Sequence, residues 1–197
     1  MNAPVKNLRL ADHPIDDQFL GRWSPRAFTA EAMTEADVLT LLEAARWAPS
    51  ANNLQPWRFA WGLRGDAGFK AIAETLVPFN AAWAEKAAAL IVVASKTTML
   101  RNAAEVDHPT HAFDAGAAWA QLALQAHLNG FAAHGMGGFD HAKAAANLNL
   151  PDGYKIHAVV AVGRQGDPAT LPEMLQAREV PSQRLPLAEV ARHGAFA

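Results

Sequence analysis

The segment from Asp114 to Asn129 constrains the fold most, because it has a helical pattern and holds few polar residues. Alanines and a glycine cover most of its surface rather than a single stripe. A helix that is apolar nearly all round is buried, and small side chains allow a second element to approach closely. The segment therefore predicts a central helix, in the middle of the molecule or of a dimer.

The remaining elements are short and clearly bounded. Thr34 as an N-cap, with Asp37 three residues later, predicts a helix that ends before Pro49. Further helices are predicted at residues 66–76, 81–88 and 141–150, and strands at residues 57–61, 89–94 and 157–163. Strands and helices without a regular βαβ alternation favour the α+β class over a doubly wound fold.

Composition bounds the class of protein. The 197 residues suffice for one domain with its own core, so we expect a single domain over residues 1–197, with residues 1–21 as a loose arm. The absence of cysteine excludes disulfides and thiolate chemistry and is compatible with a reducing cytosol. A net charge of −2, no visible signal peptide and no long apolar run predict a soluble cytoplasmic protein without nucleic-acid or membrane partners.

The segment Arg22-Trp23-Ser24-Pro25-Arg26 has the residue types of a phosphate site. Two guanidinium groups beside a hydroxyl offer a phosphate monoester both charge and directional hydrogen bonds. A short basic segment is more often only a solvated surface, so this motif indicates a site only in combination with a second segment.

A rigid, amide-rich loop comes about two dozen residues later. Pro49 and Pro56 each fix φ and remove a backbone donor. Ser50, Asn53 and Gln55 offer side-chain groups that can pair with the polar edge of a planar heterocycle. Together, the two segments predict a pocket for a flat, phosphorylated cofactor.

A third segment, residues 134–140, is rich in glycine. Gly135, Gly137 and Gly138 allow the backbone to approach a ligand closely. His134, which immediately precedes them, is the histidine best placed to line an active face.

In this order, the motifs RWSPRAF, ARWAPSANNLQPWRF, FN before an alanine-rich helix and strand, GMGGFD and SQRLPLAEV resemble the FMN-dependent nitroreductase family, over residues 22–190. The resemblance implies a nitroreductase-like fold, with a central, mostly antiparallel sheet flanked by helices. It also implies an entwined homodimer built around a long helix, with an FMN at each of two positions on the interface.

The resemblance implies an oxidoreductase that takes a hydride from NADH or NADPH and reduces nitroaromatics, quinones or similar small acceptors in a ping-pong scheme through flavin N5. It implies no catalytic side chain and no metal ligand. The implied cofactor-binding residues are Arg22, Trp23, Ser24, Arg26 and Arg184 at the phosphate and ribityl chain, Pro49, Ser50, Ala51, Asn53 and Gln55 in a loop from the partner subunit, Asn80 at the pyrimidine edge of the ring, and Met136, Gly137 and Gly138 beside N5.

The sequence departs from the family pattern at four places, and these departures bear on the expected site. Gly137 stands where relatives often have an acidic residue, and Trp83 where some have a lysine near flavin N1, with Lys86 nearby. Ser182 replaces a basic residue, which predicts fewer phosphate ligands. The short region 96–114 predicts a reduced lid and a broader range of substrates.

Two other functions fit the same sequence. The first is a flavin-binding sensor or store without turnover, which the same pocket residues would serve. The second is a metal-dependent hydrolase that uses His108 and His111, with Asp114 nearby. Pro109, between the two histidines, disfavours the hydrolase, because it indicates a loop and a helix start where Thr110 would act as the cap.

Overall fold

An antiparallel sheet lies at the centre of the computed structural model, which describes residues 7–196. The strands are β1 (Trp57–Leu63), β2 (Ala89–Lys96), β3 (Thr98–Arg101), β4 (Ala104–Asp107), β5 (Ala132–Met136) and β6 (Tyr154–Gly163). Within the described residues, β1, β2, β6 and β5 lie side by side in that order, and β3 and β4 form a separate hairpin. All of these pairings are antiparallel.

Helices cover both faces of the sheet. They are α1 (Asp17–Gly21), α2 (Glu35–Arg46), α3 (Ala67–Ala73), α4 (Pro78–Ala84), α5 (His111–Leu128), α6 (His141–Asn147), α7 (Glu173–Gln176) and α8 (Leu187–Val190), with short 3-10 turns at Ala51–Asn53 and Pro168–Thr170. This arrangement confirms the predicted α+β class and the mostly antiparallel sheet. No helix within residues 7–196 combines the length and the apolar character that crossing a membrane requires.

The alternation of side chains along β2 explains why both faces need cover. Leu90 and Val92 belong to the core on the α3 and α4 side, and Ile91 and Val93 belong to the core on the α2 and α5 side. Successive residues of a strand point to opposite faces, so a strand that is apolar throughout must be buried on both. The apolar run at residues 89–94, predicted as a strand, therefore forms the middle of the molecule.

Helix α2 begins as predicted. The Thr34 hydroxyl accepts a hydrogen bond from the Asp37 N–H at 3.1 Å, and the Asp37 carboxylate accepts one from the Thr34 N–H at 2.8 Å. These reciprocal bonds satisfy two backbone donors that a helix N-terminus leaves free. Val38, Leu41 and Ala45, spaced at three and four residues, are buried by the resulting helix.

Helix α5 is the long helix predicted to be central, but this chain buries only one of its faces. Ala115, Ala118 and Leu122 lie within the core, whereas Phe113 is 81% exposed and Leu128 is 63% exposed. The two faces of α5 are therefore apolar for different reasons. One face packs against the sheet, and the other carries apolar side chains that are exposed on the surface of this chain.

Three strands were not predicted, and neither were the short helices α1, α7 and α8. Strand β5 overlaps the start of the glycine-rich segment, and the β3–β4 hairpin lies in the short region 96–114, for which the sequence predicts a reduced lid. The turn of this hairpin uses Asn102 and Ala103, both at positive φ (51° and 62°), where the usual signal would be Asn-Gly. The predicted loose arm, residues 1–21, lies outside the described residues at positions 1–6 and contains α1 at its end.

Gly62 in β1 is expected to tolerate no side chain. A Cβ there would overlap the backbone of Gly68 and Phe69, because α3 lies directly against the strand. We predict that Gly62→Ala lowers the free energy of unfolding by about 3 kcal/mol, as measured by urea denaturation. Ala67→Gly, at the exposed start of the same helix, is the control and should cost about 1 kcal/mol or less. Equal losses in the two variants would contradict this close packing.

Candidate functional site

A cavity of about 360 Å³ lies between the N-terminal segment and the C-terminal segment of the chain. Its described lining residues are Arg9, Arg22, Trp23, Ser24, Arg26, His134, Arg178, Val180, Ser182 and Arg184. This set brings together every residue that the sequence implied for a phosphate and its attached chain, although Arg184 is 158 positions from Arg26 in the sequence.

Arg9 and Arg178 also line the cavity, and sequence reasoning missed both. Arg9 Nε donates to the Ser182 carbonyl oxygen at 2.9 Å, and its Nη1 donates to the Arg22 carbonyl oxygen at 2.8 Å. Arg9 thus supplies positive charge beside the position where a basic residue is missing. The fewer phosphate ligands expected from Ser182 stay a prediction, and one cationic group of the cavity, Arg9, lies beside that position.

The arginines raise one another's electrostatic energy. Partial burial, followed by repulsion from Arg184, lowers the pKa of both Arg9 and Arg22. Burial also lowers the pKa of Arg26, and the nearby Glu179 carboxylate opposes this effect. Guanidinium groups held together at a cost are stabilised by a bound anion, and a phosphate suits their donor geometry.

Glu179 anchors the N-terminal side of this cavity. Its buried Oε1 accepts hydrogen bonds from the backbone N–H groups of Arg26 and Ala27, at 2.6 and 2.8 Å. Its Oε2 lies 3.9 Å from Arg26 Nη1. Among the described residues, Glu179 Oε2, Arg26 Nε and Trp83 Nε1 are buried without a hydrogen-bond partner. The carboxylate therefore joins the segment at residues 22–27 to the chain end that carries Arg178 and Arg184.

His134 faces the same cavity in its uncharged form. Its Nδ1 lies 3.0 Å from the Pro25 carbonyl oxygen, which assigns the proton to Nδ1, and its ring packs against Trp83 at 4.6 Å between centroids. Burial lowers the pKa of His134 to about 4, and the charges of Arg26 and Arg22 contribute to this shift. An anion in the cavity would work in the opposite direction.

The glycine-rich segment adjoins the residue predicted to read the ring edge. Asn80 Nδ2 donates to the Gly138 carbonyl oxygen at 2.9 Å, and a Cβ on Gly138 would lie 2.6 Å from the same nitrogen. A Cβ on Gly137 would meet no atom within 4 Å. Met136 is buried beneath them. The backbone at Gly137 is therefore open to the close approach of a flat ligand.

The predicted loop at residues 49–55 is not part of this lining. Asn52, Asn53 and Gln55 have φ of 51°, 54° and 48°, a region that side chains other than glycine seldom adopt. The Gln55 N–H donates to Ser50 Oγ at 3.0 Å. Pro49 and Ala51 also belong to this loop, which lies at the surface of the chain. The loop is largely exposed, and it is available to a neighbouring molecule.

Two other sequence hypotheses have clear positions in the structure. Trp83 is fully buried in the core, and Lys86 Nζ donates to the Thr170 carbonyl oxygen at 2.9 Å, so neither side chain supplies a cation to the cavity. His111 Nδ1 lies 2.7 Å from Ser95 Oγ. Within residues 7–196, no group of three or more His, Cys, Asp or Glu side chains is arranged to hold a metal ion.

Comparisons with known proteins point to one family. The model of the Nitroreductase family matches residues 20–76 and 63–164. A solved structure described as an oxidoreductase containing FMN superposes with a TM-score of 0.94 at 44% identity, covering 99% of each chain. A Desulfovibrio desulfuricans protein solved in complex with FMN gives 0.73 at 26% identity, covering 95% of this chain and 100% of its own. An NADH dehydrogenase from Thermus thermophilus is 32% identical and covers 87% of this chain and 91% of its own.

The low pKa of His134 is expected to make the folded state less stable in acid. The unfolded chain takes up this proton near pH 6.5, and the folded chain takes it up only near pH 4. The titration of His134 therefore costs no stability above about pH 6.5. It lowers the free energy of unfolding by about 3 kcal/mol as the pH approaches 4. Urea denaturation at several pH values measures this loss, which His134→Gln should make smaller; the lowered pKa values of His111 and His157 leave part of it in place.

Exposed His13 provides the control for this titration, because His13→Gln should retain the loss seen in the wild type. Inorganic phosphate should reduce the loss in the wild type, because an anion in the cavity favours the charged ring. If the wild type and His134→Gln lost stability in parallel between pH 6.5 and 4, His134 could not be the buried neutral group described here.

Proposed function

Since this chain belongs to the nitroreductase family, we propose that it is an FMN-dependent oxidoreductase that uses NADH or NADPH to reduce nitroaromatics, quinones or similar small acceptors. The observation that carries this proposal is the cavity in which five arginines of the described chain converge with His134, the residue just before the glycine-rich segment whose backbone is open at Gly137. The cofactor is supported by the relatives solved with FMN.

The residues present fit an FMN phosphate. A phosphate monoester carries a charge of about −1.5 to −2 at neutral pH and presents three acceptor oxygens. Around the cavity, the donors are guanidinium groups and the Ser24 hydroxyl, and the nearby Glu179 carboxylate is directed towards Arg26 and backbone N–H groups. Arg22 Nη1 already lies 3.3 Å from Ser24 Oγ, so charge and hydroxyl converge on one point.

When bound, FMN supplies the redox chemistry, by accepting a hydride at N5 and passing electrons to an acceptor. The chain contributes position and electrostatics. We assign the phosphate to Arg22, Ser24, Arg26 and Arg184, with Trp23 beside the ribityl chain. Arg9 and Arg178 add to the positive potential at the same place.

The ring is assigned to the backbone at Met136, Gly137 and Gly138. The absence of a Cβ at Gly137 leaves room for a flat ring to lie directly against the chain. Asn80 is held beside this backbone by its bond to Gly138, so its carbonyl oxygen is oriented by a fixed amide. No side chain is required as a nucleophile or a general base, and the acceptor and the nicotinamide would use the same open face in turn.

A second subunit would complete the site. The loop with Pro49, Ser50, Ala51, Asn53 and Gln55 does not line the arginine cavity of its own chain. The exposed face of α5 supports a homodimer, and so do apolar side chains on the neighbouring α2 surface, where Leu39 is 48% exposed and Trp47 is 71% exposed. Pairing these faces would bury them and bring each loop to the other chain.

For the nicotinamide donor and the acceptor, we propose classes of compound rather than single compounds. The name of the Thermus thermophilus relative favours NADH. The β3–β4 hairpin is exposed and short, which is consistent with an open site and a wide range of acceptors. The cytoplasmic location stays a prediction of the sequence.

We predict that the purified protein is yellow and releases FMN on heating. NADH or NADPH should bleach the flavin absorbance under anaerobic conditions, and a quinone or a nitroaromatic compound should restore it. Stopped-flow absorbance measures both half-reactions separately. A flavin that stays oxidised with either nicotinamide would favour a sensor or store over an enzyme, and a colourless protein that fails to take up added FMN would overturn the proposal.

A further inference from the structure

A second group of polar side chains lies at the N-terminus of α5, apart from the arginine cavity. We call it the α5 polar cluster; it comprises Ser95, His108, Thr110, His111, Asp114 and His157. The proposed reaction uses none of these residues. His108, Asp114 and Ser95 are nonetheless almost fully buried, and buried polar groups are usually retained for a defined set of bonds.

Asp114 connects this cluster to the loop at residues 50–55. Its Oδ2 accepts a hydrogen bond from the Ala51 backbone N–H at 3.2 Å and one from Thr110 Oγ1 at 3.3 Å, and it lies 3.6 Å from His108 Nε2. A buried carboxylate that accepts from a backbone N–H forms a stronger bond than a neutral acceptor does. Ala51 is the first residue of the 3-10 turn, so the bond fixes the loop where its turn begins.

The loop needs such a restraint because of its backbone. Asn52, Asn53 and Gln55 all lie at positive φ, which residues other than glycine adopt only when the surroundings hold them there. Inside the loop, Ser50 Oγ accepts from the Gln55 N–H. From outside the loop, the Asp114 carboxylate accepts from Ala51. The carboxylate therefore joins the loop to the long helix at the centre of the fold.

We propose that Asp114 is a positioning residue for the flavin site, an inference that rests on the proposed function. Its carboxylate holds the loop at residues 50–55 in the one conformation that presents Ser50, Asn53 and Gln55 to the flavin of the partner subunit. Asp114 itself does not touch the cofactor. Its effect passes through the Ala51 N–H.

The histidines nearby form a separate set of bonds. Ser95 Oγ lies 2.7 Å from His111 Nδ1 and 2.6 Å from His157 Nε2, so its single proton can be donated to only one of the two rings. These bonds tie the first residue of α5 to β2 and β6 and do not involve the loop. Ser95 is therefore the matched control, being equally buried and within the same cluster.

The test removes each end of the bond in turn, in the full-length holoprotein. Asp114→Ala removes the acceptor. Ala51→Pro removes the donor and places its ring Cδ where the N–H points at the carboxylate, and the extended Ser50 before it (φ −144°, ψ 155°) is compatible with a following proline. Each variant should weaken FMN binding roughly tenfold, as measured by flavin fluorescence after stripping and titration. The double variant should bind no more weakly than the weaker single variant.

Two further variants separate positioning from general stability. Asp114→Asn keeps an oxygen acceptor and should restore FMN affinity to within about threefold of the wild type. Ser95→Ala should lower the unfolding midpoint while binding FMN as the wild type does. In Asp114→Ala, hydrogen exchange at the Ala51 amide should accelerate, a local signal that does not depend on turnover.

The outcomes test the positioning role of Asp114 separately from the proposed FMN-dependent function on which it rests. A wild-type protein that binds no FMN would overturn both. A wild-type protein that binds FMN, with Asp114→Ala binding equally well, would overturn the positioning role alone. Strictly additive losses in the double variant would do the same, because they would mean that the two residues act on FMN independently.

Discussion

The partial burial of guanidinium groups beside one another is the constraint on which the candidate site depends. Burial, followed by repulsion from Arg184, lowers the pKa of both Arg9 and Arg22. A fold gains no stability from such an arrangement, and a bound anion removes the penalty. The position of these residues is therefore better explained by a ligand than by packing.

The rest of the fold supplies the restraints that keep the site assembled without its ligand. Glu179 ties the N-terminal arginine segment to the chain end through two backbone N–H groups, and Asp114 ties the surface loop to α5. Both are buried carboxylates that accept from backbone donors, and both join segments distant in sequence. A buried carboxylate bonded to backbone N–H groups thus occurs twice, once at the proposed phosphate cavity and once at the loop that we propose contacts the flavin of the partner subunit.

Sequence predicted the elements whose signals are local. The capping pair at Thr34 and Asp37, the apolar run of β2 and the small-residue pattern of α5 each depend on neighbouring residues, and each gave the correct element. The β3–β4 hairpin escaped because Asn102-Ala103 lacks the glycine that usually marks such a turn. Strand β5 escaped because its glycine resembles the start of the adjoining loop.

The residues of the candidate site likewise fall into two groups, those that a local motif reveals and those that only the tertiary structure brings together. Arg22, Ser24 and Arg26 stand in one short motif and could be found by reading it. Arg9 and Arg178 are isolated arginines in segments without a pattern, and only the pairing of the two chain ends brings them to the cavity. Glu179 carries no local sign of its bonds to Arg26 and Ala27, and Asp114 carries none of its bond to Ala51, because each of these bonds joins residues at least 63 positions apart.

Comparison of FMN with riboflavin tests the central claim most directly, because the two flavins differ only in the phosphate. We expect the wild-type protein to bind FMN at least about a hundredfold more tightly than riboflavin. In Arg22→Ala and Arg184→Ala, that ratio should fall by about tenfold or more, through weaker FMN binding, while Arg101→Ala, outside the cavity lining, should retain it. Equal affinities for the two flavins in the wild type would contradict the account.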